Sequence, residues 1–156
     1  MLRVLSAFLL LQVAIRVWLR VKPQPIPLGW SWLLENGWCK LYRNPERTAE
    51  LCNLKRFETV PELGCGSGMF TRALATQCAH LVTSNLQERY LEQTRIRTRG
   101  VKNLEYLRAD VSKIPLPDAS VDVVLLISTL TEVLKPVDAL LECKRILKPG
   151  RRIVVS

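Results

Sequence analysis

The sequence predicts a doubly wound α/β fold, a parallel sheet with helices on its faces, and two observations carry that expectation. From Phe57 onward short apolar runs alternate with amphipathic ones, and strands separated by helices re-enter a sheet in the same direction. The run "VDVVLLIS" (121–128) is apolar almost throughout, as a strand covered on both faces should be.

The elements follow in order. "ETVPEL" (58–63) reads as the first strand, "GMFTRALATQC" (68–78) as a helix, and "HLVTSN" (80–85) as the second strand. "LQERYLEQTRIRT" (86–98) is a helix closed by Gly100, and "LEYLRAD" (104–110) is the third strand. Residues 121–128 form the fourth strand, "PVDALLECKRIL" (136–147) is a helix ended by "KPG", and "RRIVVS" (151–156) is the fifth strand.

The N-terminus is different in kind. Val4 to Leu19 is an apolar run of sixteen residues, roughly 24 Å as a helix against a hydrocarbon core of roughly 30 Å. Gln12, Arg16 and Arg20 line one stripe of it, so the reading is a membrane-anchor helix, spanning or in-plane, whose arginines snorkel. A cleaved leader is the second reading, weakened by the lack of a small-x-small cleavage site; a packed helix is the third. "KPQPIP" (22–27) is a stiff linker, and Trp30, Trp32 and Trp38 then belong to a helical preface or a membrane interface. Asn44, Pro45 and Glu46 make a good helix start. The organisation expected is an anchor over 1–22, a linker and preface over 23–56, and the α/β domain over 57–156, membrane-associated and facing the cytoplasm.

Charge and cysteines exclude some chemistries. Nine basic against four acidic residues over 1–60, and fourteen against ten over 61–156, make the positive balance diffuse. No helix-turn-helix or aromatic-interleaved RNA motif accompanies it, which disfavours nucleic acid and leaves an anionic membrane face. Cys39, Cys52, Cys65, Cys78 and Cys143 form no C-x-x-C pair and His80 is the single histidine, so they read as buried free thiols rather than zinc ligands.

The stretch "ELGCGSGMF" (62–70) carries the functional question. Ligands of such sheets bind at the carboxyl ends of strands, where Glu62 to Gly68, Asn85, Asp110 and Ser128 fall. Glycines at 64, 66 and 68 do not make a dinucleotide fingerprint, because Met69 stands where the last glycine would be. A turn for tight strand-to-helix packing is the plainer alternative.

An acid two residues before three alternating glycines resembles the first motif of the class I S-adenosylmethionine (SAM) methyltransferases. "LRADVSKIPLPDASVDVVLLISTL" and "ALLECKRILKPGRRIVVS" are similar to later motifs of the methyltransferase type 11 domain family, and "WLLENGWCKLYRNPER" to a preface in some members. The resemblance runs from about Leu28 to Ser156 and implies a Rossmann-like fold with SAM as cofactor. It implies that Gly64, Cys65, Gly66 and Gly68 let backbone meet the amino-acid part of the cofactor, with the Glu62 carboxylate toward its ammonium group. It further places Asn85 at the ribose, Asp110 on the adenine amino group and Val111 against the ring through its backbone, with Leu86, and Ser128 at the end of the fourth strand, also cofactor-binding. For Asp110, a loop cap in "ADVS" is the alternative.

Three departures from the family pattern stand out. Asn85 replaces an acid, Pro61 sits inside the first strand, and the family fold continues past a fifth strand whereas the sequence ends there. No side chain announces itself as catalytic, and in-line transfer from a sulfonium requires none. Glu132 is either an acceptor-orienting group or a solvated helix-start carboxylate. The acceptor side lacks the Asn/Asp-Pro-Pro-aromatic signature of base methylation, and the apolar N-terminus suits a small-molecule or lipid-like acceptor. The competing expectation is a truncated, membrane-tethered SAM-binding relative without turnover.

Overall fold

The computed structural model describes residues 44–156. The anchor expected over 1–22, the linker, Trp30, Trp32, Trp38 and Cys39 lie outside the described residues. Among the described residues no helix is long and apolar enough to cross a membrane.

Helix α1 (Pro45–Leu51) starts as its sequence demands: Asn44 is extended, its side-chain oxygen accepts the Arg47 N–H at 2.9 Å, and Pro45 has no N–H to leave unpaired. Five strands follow, β1 (Thr59–Leu63), β2 (His80–Asn85), β3 (Leu104–Arg108), β4 (Val121–Leu126) and β5 (Leu147–Val155). They form one sheet in the order β3-β2-β1-β4-β5, with parallel neighbours throughout. Helices α2 (Thr71–Ala75), α3 (Glu88–Arg97) and α4 (Pro136–Ile146) connect them, together with a 3-10 turn at Leu130–Glu132. The winding reverses between β3 and β4, so β1 and β4 flank the switch point where a doubly wound sheet opens a crevice.

The expected helix over 68–78 is shorter. Gly68 has φ +78° and cannot begin a helix, Phe70 caps without a side-chain bond, and the Thr76 hydroxyl turns back to the Ala73 carbonyl at 2.7 Å. The last strand begins earlier than expected. Val121 pairs with Leu147 and Val123 with Arg152, so Lys148, Pro149 and Gly150 swell out as a bulge, with Gly150 at φ +75°.

Pro61 stands in the central strand. In a parallel strand alternate residues address opposite neighbours. Gly64 donates to the Ser84 carbonyl beyond β1's end, on the β2 side, while the Thr59 N–H donates to the Asp122 carboxylate of β4. Odd-numbered residues of β1 therefore face β4, and Pro61 withholds its donor from that side. The pairing shows it: β1 meets β2 over five residue pairs but meets β4 in register only at Glu62 and Leu125.

Both faces of the sheet are covered. Val60, Leu74, Leu81, Val123 and Leu125 pack with α1 and α2 on one side; Leu63, Val124, Leu126, Cys143 and Ile146 pack on the other. Each such aliphatic side chain contributes about 1.5–3 kcal/mol by leaving water.

Buried carboxylates tie distant segments together. Asp122 accepts Thr59 N–H at 3.0 Å and faces Lys148 and Arg151 at 3.0 and 3.3 Å. Burial pushes its pKa up, but those hydrogen bonds and cations outweigh it and hold the carboxyl below its ordinary value. Glu58, only 1% exposed, is met by the Arg152 guanidinium at 3.0 Å. Arg145 binds the Ile114 and Leu116 carbonyls at 2.8 and 2.9 Å as well as Glu142 and Asp118, pinning the irregular segment between β3 and β4 onto α4.

Candidate functional site

A cleft of about 400 Å³ opens at the carboxyl ends of β1, β2, β3 and β4. Of the residues singled out in the sequence, Glu62, Gly64, Cys65, Gly66, Asn85, Leu86, Asp110, Val111 and Ser128 all line it. Gly68 does not.

The three glycines serve three different needs. A Cβ on Gly64 would lie 2.3 Å from Thr129 Cγ2, and one on Gly68 would lie 2.7 Å from Thr94 Cγ2 and 2.9 Å from its Cα. Those two positions let β4's continuation and α3 press against the loop. A Cβ on Gly66 would meet nothing within 4 Å. Its φ of +55° still favours glycine, but the space before it is the cleft itself. Packing therefore explains Gly64 and Gly68, and an open approach to backbone explains Gly66.

Glu62, next to last in β1, is almost fully buried. Its Oε2 accepts the Thr71 hydroxyl at 2.7 Å and the Thr83 hydroxyl at 2.9 Å; Oε1 has no hydrogen-bond partner among the described residues. Burial raises the carboxyl from 4.5 to about 7, against the lowering effect of the two hydroxyls. A buried carboxylate oxygen without a donor suits a ligand's ammonium group. Cys65, beside it, is pushed up to about 12 by burial first and by Glu62 second, so it is a neutral wall and no nucleophile near pH 7.

The other strand ends contribute polar atoms. Asn85 Oδ1 accepts the Gln87 N–H at 2.9 Å, which leaves its amide NH2 to donate to a ligand oxygen. Asp110 Oδ1 accepts both the Ser112 N–H at 2.8 Å and its hydroxyl at 2.7 Å. The loop cap considered for "ADVS" is therefore present, and the second carboxylate oxygen has no hydrogen-bond partner among the described residues. Ser128 adopts φ +55°, a left-handed conformation costly for a residue with a side chain, while its N–H holds the Ser156 carbonyl at 2.7 Å.

Several lining residues carried no signal in the sequence. Met69, Phe70, Tyr90, Ile127, Val133 and Leu134 make the lining largely apolar, and Glu132 and Lys135 also border it. Thr94 and Thr129 hold the loop and its entry by hydroxyls from 28 and 66 residues away, and Thr71 and Thr83 hold the Glu62 carboxylate.

An acid at β1's end, bare backbone at Gly66, an amide at β2's end and a carboxylate at β3's end thus line one cleft. Residues 61–155 match the family model described as a methyltransferase domain. A demethylmenaquinone methyltransferase of Clavibacter sepedonicus is 38% identical over 98 residues, 63% of this chain and 40% of the relative. A ubiquinone/menaquinone biosynthesis C-methyltransferase, UbiE, of Azotobacter vinelandii is 31% identical over 69% of this chain and 45% of its own length. The chain thus spans less than half the length of these curated relatives. A SAM-dependent methyltransferase structure from Aquifex aeolicus superposes with a TM-score of 0.65 at 29% identity, covering 72% of this chain and 62% of that one. Sheet order, glycine loop and these matches agree, and the chain belongs to the class I S-adenosylmethionine-dependent methyltransferases, in the methyltransferase type 11 domain family.

Proposed function

We propose that the chain works in SAM-dependent methyl transfer to a small-molecule or lipid-like acceptor, of which a quinone-like ring is the leading case. The observation that carries this reading is Gly66, whose missing side chain opens on a cleft rather than on protein. When bound, SAM supplies a methyl carbon made electrophilic by the adjoining sulfonium, so the protein's share is to align an acceptor atom and exclude water.

The residues present divide that work. Glu62 Oε1 receives the ammonium group, Asn85 donates to the ribose oxygens, the second Asp110 oxygen receives the adenine amino group, and the Val111 backbone borders the ring. Leu86 and Ser128 complete the wall. Met69, Phe70, Ile127, Val133 and Leu134 offer the acceptor an apolar surface, which suits a ring with a hydrocarbon tail. The names of the two relatives support the quinone-like case. The apolar run at residues 4–19 supports membrane association with the domain on the cytoplasmic side, where a lipid-soluble acceptor is concentrated.

The test is calorimetry of the full chain in detergent with SAM, followed by transfer of labelled methyl to a demethylated quinol. Binding with transfer supports the whole reading. Binding without transfer to this or other apolar acceptors identifies a cofactor-binding relative without turnover, and absence of binding removes the cofactor assignment.

A further inference from the structure

Thr129 touches both halves of the cleft. Its hydroxyl lies 2.9 Å from the Leu63 carbonyl and 3.2 Å from that of Gly64, at the entry of the glycine loop. Its methyl group occupies the space that a side chain on Gly64 would need. In the other direction, its own carbonyl accepts the Glu132 N–H at 2.9 Å and so starts the 3-10 turn Leu130–Glu132. Glu132, the last residue of that turn, and Val133, Leu134 and Lys135 after it line the cleft on the acceptor side. Ser128, left-handed at φ +55°, stands between the end of β4 and Thr129. From α3, Thr94 also holds the loop, with its hydroxyl 3.2 Å from the Gly66 carbonyl, but α3 does not lead into the acceptor segment.

We infer that Thr129 is a positioning residue that transmits occupancy of the glycine loop to the acceptor side of the cleft, an inference that rests on the reading of this cleft as the cofactor site. A ligand on Gly66 restrains the loop from Gly64 to Gly68. The Thr129 hydroxyl and methyl register that restraint, and the turn carrying Glu132 to Lys135 becomes ordered with it. Cofactor binding thus favours the ordered acceptor surface, and by linkage the ordered surface favours the cofactor.

Amide hydrogen exchange on the full chain, with and without S-adenosylhomocysteine, tests this. In the parent protein the ligand should slow exchange at residues 64–68 and at 130–135 together. Thr129→Val keeps the shape and removes the hydroxyl. It should weaken ligand binding by no more than about tenfold, the weight of a single neutral hydrogen bond, and keep protection at 64–68. Protection at 130–135 should fall to the ligand-free level, and Thr129→Ser should restore it. Thr98→Val is the control for instability alone: its hydroxyl bonds the Thr94 carbonyl at 2.6 Å and Tyr106, away from the turn, and both protections should persist. Protection of both segments in Thr129→Val, or protection confined to 64–68 in the parent protein, overturns the coupling and leaves the cofactor reading intact. A parent protein that fails to bind the ligand overturns both.

Discussion

The Thr71 hydroxyl, in the first turn of α2, donates to Glu62 Oε2 at 2.7 Å at the end of β1, so strand and helix share one buried carboxylate across the glycine loop. That carboxylate titrates near neutrality for want of water, and its behaviour with pH is open to measurement.

Glu62 is raised from 4.5 to about 7 in the folded chain. Below 4.5 both states hold the proton; between the two values the unfolded chain releases it and the folded chain keeps it. Stability from this group should therefore fall as pH rises through that window, by about 3 kcal/mol in all. An ammonium-bearing ligand favours the ionised form, so SAM affinity should rise with pH across the same range. Denaturation and calorimetry between pH 5 and 8 check both slopes, and Glu62→Gln should flatten them.

The glycines should separate by their neighbours. Gly66→Val should abolish SAM binding while most of the sheet stays folded, because its side chain enters the cleft. Gly64→Ala and Gly68→Ala should instead lower stability, by roughly 1–3 kcal/mol for the forced overlap with Thr129 and Thr94. Thermal melts beside binding isotherms distinguish the two outcomes. If Gly66→Val binds SAM like the parent, the loop has been misassigned.

Asp110 has two duties and two substitutions part them. Asp110→Asn retains an oxygen for Ser112 but loses the charge, whereas Asp110→Ala loses both. Asp110→Ala should cost roughly 1.5–3 kcal/mol of cofactor affinity, the range for a hydrogen bond to a charged group. Equal affinity in all three proteins would show that the carboxylate serves only its own loop.

Pro61→Leu restores a donor toward β4, and Asn85→Asp places a charged acceptor at the end of β2. Together they should raise the melting temperature by a few degrees and tighten SAM binding, if a missing ladder bond and a missing charge are what the chain lacks. An unchanged double variant would mean that the Asp122 bond to Thr59 already compensates the strand and that the ribose contact is satisfied by the amide.

Deleting residues 1–22 should move the protein from the membrane fraction to the soluble one. Unaltered sedimentation would shift membrane attachment to the segment around Trp30, Trp32 and Trp38.

Strand positions were legible because both faces of the sheet are covered and the apolar runs are short and bounded; the second strand, His80–Asn85, has the bounds its sequence predicts. The site was legible where it depends on local geometry. An acid and a glycine loop at one strand end, and polar residues at two others, needed only the fold to bring them together. Thr83, Thr94 and Thr129 were not legible, since a threonine hydroxyl that reaches its partner from 21, 28 or 65 residues away leaves no period or motif behind. The glycines looked alike in sequence, and only their neighbours in space assign Gly64 and Gly68 to packing. The bulge after Leu147 was hidden for a related reason: "KPG" reads as a helix stop, and the same three residues also leave a ladder that has already begun.

Glu58 begins the first strand's approach to the core, and the cation that meets it, Arg152, arrives 94 residues later. Removing the guanidinium would leave the Glu58 carboxylate buried with the Lys55 N–H, at 2.7 Å, as its remaining hydrogen-bond donor among the described residues. The ion pair therefore fastens the segment that leads into β1 to β5, across the intervening β4.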